Sequence, residues 1–153
     1  LLTPITLVDD IYNNWTSVEV LDVSARTASV TVNAIANAAG LSTINASGAS
    51  GDVVNVGEGF TSSLTVQLGA GSDTLDASSA PASATIRVQA LAANIDATDT
   101  LLGGQGASDT IALTADSGAA VVNATGFEKI EVTAVLTAWE NGGDIDADIE
   151  DGK

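Results

Sequence analysis

Short runs of alternating apolar and polar residues recur along the chain. Ser29–Asn33 (SVTVN), Ser63–Leu68 (SLTVQL), Thr85–Val88 (TIRV), Thr110–Leu113 (TIAL) and Lys129–Val135 (KIEVTAV) all have period two. Each is rich in β-branched residues and bounded by Gly, Ser, Asn or Asp, which predicts half-buried strands. No sustained helical stripe competes with them. Asn33–Leu41 (NAIANAAGL) predicts at most one or two helical turns, ended by Gly40.

A second pattern punctuates the strands: an aliphatic residue, Asp or Asn, Ala or Val, then Ser or Thr. It occurs at Leu21 (LDVS), Ile44 (INAS), Leu75 (LDAS), Ile95 (IDAT) and Val122 (VNAT), at intervals of 23, 31, 20 and 27 residues. Repeats of this length indicate stacked units, each too small to bury its own apolar face. The expected fold is all-β: a parallel β-solenoid, β-helix- or β-roll-like, with irregular turns of about 20–30 residues. In this reading Asp22, Asn45, Asp76, Asp96 and Asn123 stack along one side as a hydrogen-bonded ladder. A longer echo sets Val18-Glu19-Val20 against Ile130-Glu131-Val132. The repeat region spans residues 1–138, and 139–153 form an acidic tail or the start of a next segment.

Composition narrows the chemistry. Apolar residues make up 45% of the chain but aromatics only 3%, which suits a long, narrow core better than a thick sandwich. Twenty acidic residues face four basic ones, a net charge of −16. Nucleic acid is thereby disfavoured as a partner, because its binding needs Lys and Arg. Cations are favoured, since they relieve self-repulsion. No apolar run approaches the roughly 20 residues of a membrane-spanning helix, so no membrane insertion is expected. Cys and His are both absent, which removes disulfides, thiolates, imidazole bases and the usual zinc ligand sets. The four cations Arg26, Arg87, Lys129 and Lys153 are scattered. The expectation is a protein that is not an enzyme.

Three loops place glycines before an Asp and a strand. They are Gly48–Asn55 (GASGDVVN), Gly69–Asp76 (GAGSDTLD) and Gly103–Ala112 (GGQGASDTIA). Glycines expose backbone carbonyls and a carboxylate adds a hard oxygen, which together are the parts of a calcium loop. These stretches resemble the haemolysin-type calcium repeats of the repeats-in-toxin family, G-G-x-G-x-D-x-U-x. Leu68–Asp76 is the best match and lacks only the first Gly. The resemblance implies Ca²⁺ as the bound ion and Asp73, Gly69 and Gly71 as its first ligands, with Asp76 beside them. Asp109 with Gly104 and Gly106 follows, then Asp52 with Gly48. Family loops stand in close tandem, whereas here the loop Asp residues are 21 and 36 positions apart. A further candidate is the tail, where Asp144, Asp146 and Asp148 alternate like the first ligands of an EF-hand loop, but Ile149 stands where that loop needs Gly.

The Ala/Thr/Ser-rich style of the chain is similar to that of bacterial surface-layer and related secreted proteins. That likeness implies an extracellular, cell-surface building block that self-associates into a lattice or filament with calcium. A cell-surface polysaccharide is a further candidate partner. The competing expectations are an adhesin or recognition module on the same scaffold, and a polysaccharide-active β-helix enzyme or phage tail-spike piece.

Overall fold

The computed structural model describes residues 3–8, 17–35, 40–115 and 120–134. Among these residues twelve strands wind as a parallel β-solenoid of about five coils. They are β1 (Ile5–Leu7), β2 (Val20–Asp22), β3 (Val30–Ile35), β4 (Thr43–Ala46), β5 (Val53–Val56), β6 (Ser63–Leu68), β7 (Thr74–Asp76), β8 (Thr85–Leu91), β9 (Thr100–Leu102), β10 (Thr110–Ala115), β11 (Ala124–Thr125) and β12 (Lys129–Ala134). Odd strands form one six-stranded sheet and even strands the other, every pair parallel. The chain thus alternates between the sheets, laying down one strand of each per coil. One 3₁₀ turn, Ala92–Asn94, follows β8.

The five alternating runs read from the sequence coincide with β3, β6, β8, β10 and β12. Asn33–Ile35, expected to begin a helical turn, instead continues β3. Residues 36–39 lie outside the described residues, as does the acidic tail.

Period-two alternation fixes which side chains face inward. In the odd sheet Val32, Val54, Leu75 and Leu101 follow one another in register, and each is essentially fully buried. In the even sheet Leu21, Ile44, Val66, Val88 and Ile111 form the matching column; Ile130 continues it in register on the last strand but is 58% exposed. The two columns meet in a narrow aliphatic core, to which Phe60 adds one buried ring. Adjacent coils are thus joined twice, by ladder hydrogen bonds and by a continuous stack of methyl groups.

The aliphatic–Asx–small–hydroxyl corners have the same local structure but do not form one stack. In four of them the Asx Oδ1 accepts hydrogen bonds from both the backbone N–H and the hydroxyl two residues on. The pairs are Asp22 with Ser24, Asn45 with Ser47, Asp76 with Ser78, and Asp96 with Thr98. Each is a self-contained Asx turn that ends an apolar step. Because the motif is local, it serves either sheet: Asp22 and Asn45 lie in the even one, Asp76 in the odd one. Asn123 differs, donating through Nδ2 to the Asp99 carbonyl. Side-chain bonds between coils form outside the motif instead, as in Asn55 Nδ2 to Asn33 Oδ1 at 3.0 Å and Gln67 Nε2 to Gln89 Oε1 at 3.4 Å.

The echo between Val18-Glu19-Val20 and Ile130-Glu131-Val132 is out of phase with the register by three residues, an odd number. Ile130 follows Leu21 in the inward column, whereas Val20 shares an outward row with Thr43, Thr65 and Lys129. Sequence likeness here does not survive the pleat, in which any odd shift exchanges the faces.

Candidate functional site

The loop carboxylates turn into the solenoid. Asp52, Asp73 and Asp99 stand immediately before β5, β7 and β9, in line with the aliphatic column of their sheet, and are 4%, 0% and 0% exposed. Each reaches back one coil. Asp52 Oδ1 accepts the Val30 N–H at 2.7 Å, Asp73 Oδ1 accepts the Asp52 N–H at 2.7 Å, and Asp99 Oδ1 accepts the Asp73 N–H at 2.7 Å. A second column runs before the even strands. Asp109 Oδ1 accepts the Ile86 N–H at 2.8 Å, and Glu128 Oε2 accepts the Asp109 N–H at 2.9 Å. These inter-coil bonds span 22, 21, 26, 23 and 19 residues of sequence, so coils of unequal length share one type of lock.

Charge-assisted bonds of this kind are about twice as strong as neutral ones. They also satisfy amides at the strand entrances, where the parallel ladder begins and a buried N–H without a partner is costly.

The glycines make room for this arrangement. A Cβ on Gly69 would run into the Gly48 carbonyl, and one on Gly71, whose φ is +122°, would lie 2.6 Å from the Gly51 nitrogen. The Gly48 carbonyl accepts the Ala70 N–H at 3.0 Å. In the third loop the Gly104 N–H donates to Asp109 Oδ2 at 2.7 Å, and a Cβ on Gly106 would come within 2.6 Å of the Ala84 carbonyl oxygen. The glycine-rich loops are therefore the corners where successive coils approach most closely.

The structure thus brings Asp52 and Asp73 into one column, and gathers Gly104 and Gly106 around Asp109. It places Asp76 apart from Asp73, on the outward side of β7, where Ser78 engages its carboxylate. Asp99, with no glycine before it, and Glu128, two residues after Gly126 at φ +73°, complete the two columns. Their signal was an acid two residues before an inward-register aliphatic: Asp52-Val53-Val54, Asp73-Thr74-Leu75, Asp99-Thr100-Leu101, Asp109-Thr110-Ile111 and Glu128-Lys129-Ile130. By period two the acid faces the same way as that aliphatic.

Asp73 is the electrostatic centre of the first column. Burial pushes its carboxyl up to about 7; the Asp52 N–H bond opposes that rise, and the neighbouring Asp52 and Asp99 carboxylates add to it. Asp52 is also raised by burial, with the Val30 N–H and the Arg26 charge pulling the other way. Asp99 has both oxygens engaged, since Oδ2 accepts the Asp96 N–H at 2.8 Å. Asp73 Oδ2 is buried with no hydrogen-bond partner.

A calcium ion takes six to eight converging oxygens. Around these loops the carboxylates meet backbone N–H groups rather than carbonyls, and one carboxylate oxygen at Asp73 remains uncommitted. Among the described residues no three acidic side chains converge as a metal-binding group. In this arrangement the loop carboxylates serve as inter-coil locks. No helix among the described residues is long and apolar enough to cross a membrane. No protein-family model, curated protein or solved structure matches the chain.

Proposed function

We propose that the chain is a structural building block of an extracellular bacterial surface layer or filament, a rod segment whose task is to stack. The observation that carries this reading is the uniformity of the inter-coil contacts. Two parallel sheets, two aliphatic columns and two carboxylate columns repeat the same contacts from coil to coil. Such a body extends without any new type of contact, and a head-to-tail association that does not close on itself builds open assemblies. Calcium enters this reading through the surface charge of −16, which opposes association until cations neutralise it. The role is non-catalytic.

The test is sedimentation and negative-stain imaging of purified protein in Ca²⁺ and in NaCl of equal ionic strength. Ordered polymers in Ca²⁺ alone are the expected result. A monodisperse protein in both salts at high concentration overturns the reading.

A second reading, a recognition module on the same scaffold, is favoured by one feature. The outward face of the even sheet carries an open groove of about 580 Å³ lined by amides, hydroxyls and aliphatic groups.

A further inference from the structure

The groove crosses β6, β8 and β10 and reaches β12 at Thr133. Its floor follows from the register. The outward row Asn45, Gln67, Gln89, Ala112, Glu131 runs across the sheet from β4 to β12. Long polar side chains occupy every place in that row except the fourth, where Ala112 leaves a notch. On one side the notch is walled by Arg87, which reaches past β10 to bond Glu131 Oε2 at 2.7 Å. On the other side stand Leu91, 45% exposed, and Asn94 at the end of the 3₁₀ turn.

We infer that this groove binds a neutral oligosaccharide lying across the strands, with one sugar ring seated over Ala112. The inference rests on the recognition reading above, and its failure leaves the structural reading untouched.

Three features select that ligand. A sugar hydroxyl both donates and accepts, and a carboxamide offers both functions in one plane; Gln67, Gln89 and Asn94 supply three such groups. The Gln67–Gln89 bond at 3.4 Å is long and uses one donor of Gln67 and one acceptor of Gln89, which leaves donor and acceptor capacity for a ligand. Aliphatic surface from Leu91 and Ala112 matches the C–H face of a ring, in the mixture of apolar lining and few polar groups typical of ligand sites. Charge excludes the acidic alternatives. Arg87 is already paired with Glu131, Lys129 pairs with the same carboxylate, and the chain as a whole carries −16. An anionic sugar would meet no uncommitted cation in the groove and would be repelled by the protein's field.

The experiment is calorimetric titration of the folded chain with four neutral hexasaccharides and one acidic one. The neutral probes are cellohexaose, maltohexaose, mannohexaose and chitohexaose; the acidic probe is hexagalacturonate. At least one neutral probe should bind and the acidic one should not. Ala112→Trp fills the notch from the solvent side and should weaken binding more than tenfold with the thermal melt retained. Gln89→Ala removes one amide and should weaken it about fivefold, near the cost of one hydrogen bond. Asp76→Asn, in the opposite sheet, should leave it unchanged. No binding by any neutral probe, tighter binding of the acidic one, or full affinity in both Ala112→Trp and Gln89→Ala overturns the inference.

Discussion

The carboxylate of Asp73 accepts the backbone N–H of Asp52, one coil back in the solenoid, at 2.7 Å. Asp73 in turn donates its own N–H to Asp99 at 2.7 Å. One residue therefore serves as acceptor for the preceding coil and donor to the following one. Its second oxygen is buried without a partner, so the ionised form is poorly solvated. A neutral carboxyl resolves this conflict, which is why burial and the adjacent acids raise its titration to about 7.

Stability should fall as pH rises from 4 to 7. An aspartate carboxyl ordinarily titrates at 3.8, so in that window the folded chain holds a proton that the unfolded chain has released. Native stability is then lost with rising pH, by up to a few kcal/mol, and levels off above about 7. Asp52, also raised by burial, acts in the same sense. Three carboxyls act oppositely in more acidic solution. Hydrogen bonds from Ser24, Thr98 and Lys129 hold Asp22, Asp96 and Glu131 below their ordinary range. Their contribution is lost as pH falls through those lowered values. Urea denaturation between pH 3 and 8 should show a maximum on the acid side of neutrality; a rise from pH 4 to 7 would contradict the assignment.

Asp73→Asn should flatten that slope. The amide keeps an acceptor for the Asp52 N–H and never ionises, so the variant should match the parent near pH 4 and exceed it at pH 8. Asp73→Ala removes the acceptor and should lose about 1–3 kcal/mol at pH 4, the cost of an unsatisfied buried amide. Thermal melts of both variants at the two pH values provide the comparison. If Asp73 served instead as a calcium ligand, Asp73→Asn would weaken a Ca²⁺-dependent rise in melting temperature.

Asp99→Ala should cost more than Asp76→Ala. Removing Asp99 strands two amides, those of Asp73 and Asp96, for a loss of about 2–4 kcal/mol. Asp76 caps a turn on the outward side of β7, where water replaces the lost acceptor, and its removal should cost under about 1 kcal/mol. Chemical denaturation of the two variants measures the difference directly.

Gly69→Ala should be far worse than Gly48→Ala. At Gly69 the added methyl collides with the backbone carbonyl of the preceding coil, which cannot move without parting the sheets. At Gly48 the nearest atom to the new Cβ is the Arg26 carbonyl oxygen at 3.2 Å, a shift of a few tenths of an ångström. The expected losses are about 2–4 and about 1 kcal/mol, read from melts of the two proteins.

The solenoid was legible because its strands carry clean alternation, and β6, β8, β10 and β12 begin where the alternation begins. The Asx corners were legible as units but not as a stack, since a turn that satisfies itself within three residues carries no information about its neighbours. The loop aspartates and their glycines were visible, and were legible as candidate ligands of an ion. What the sequence did not display is that the pleat aims those carboxylates at the amides of the preceding coil. That direction follows from parity with Leu75 and Leu101, a relation between strands rather than within a loop. Asp99 and Glu128 escaped notice for the same reason.

All five inter-coil locks point the same way: the later coil always supplies the carboxylate and the earlier one the amide. A cut between any two coils would therefore leave unlike faces, one acidic and one bearing bare N–H donors. The rod has a sense of direction, as an actin or tubulin polymer has, although here it is written in backbone amides. Were such rods to join head to tail as proposed, each junction would pair the amide face of one with the acidic face of the next, and protons reaching those carboxylates would act on every junction alike.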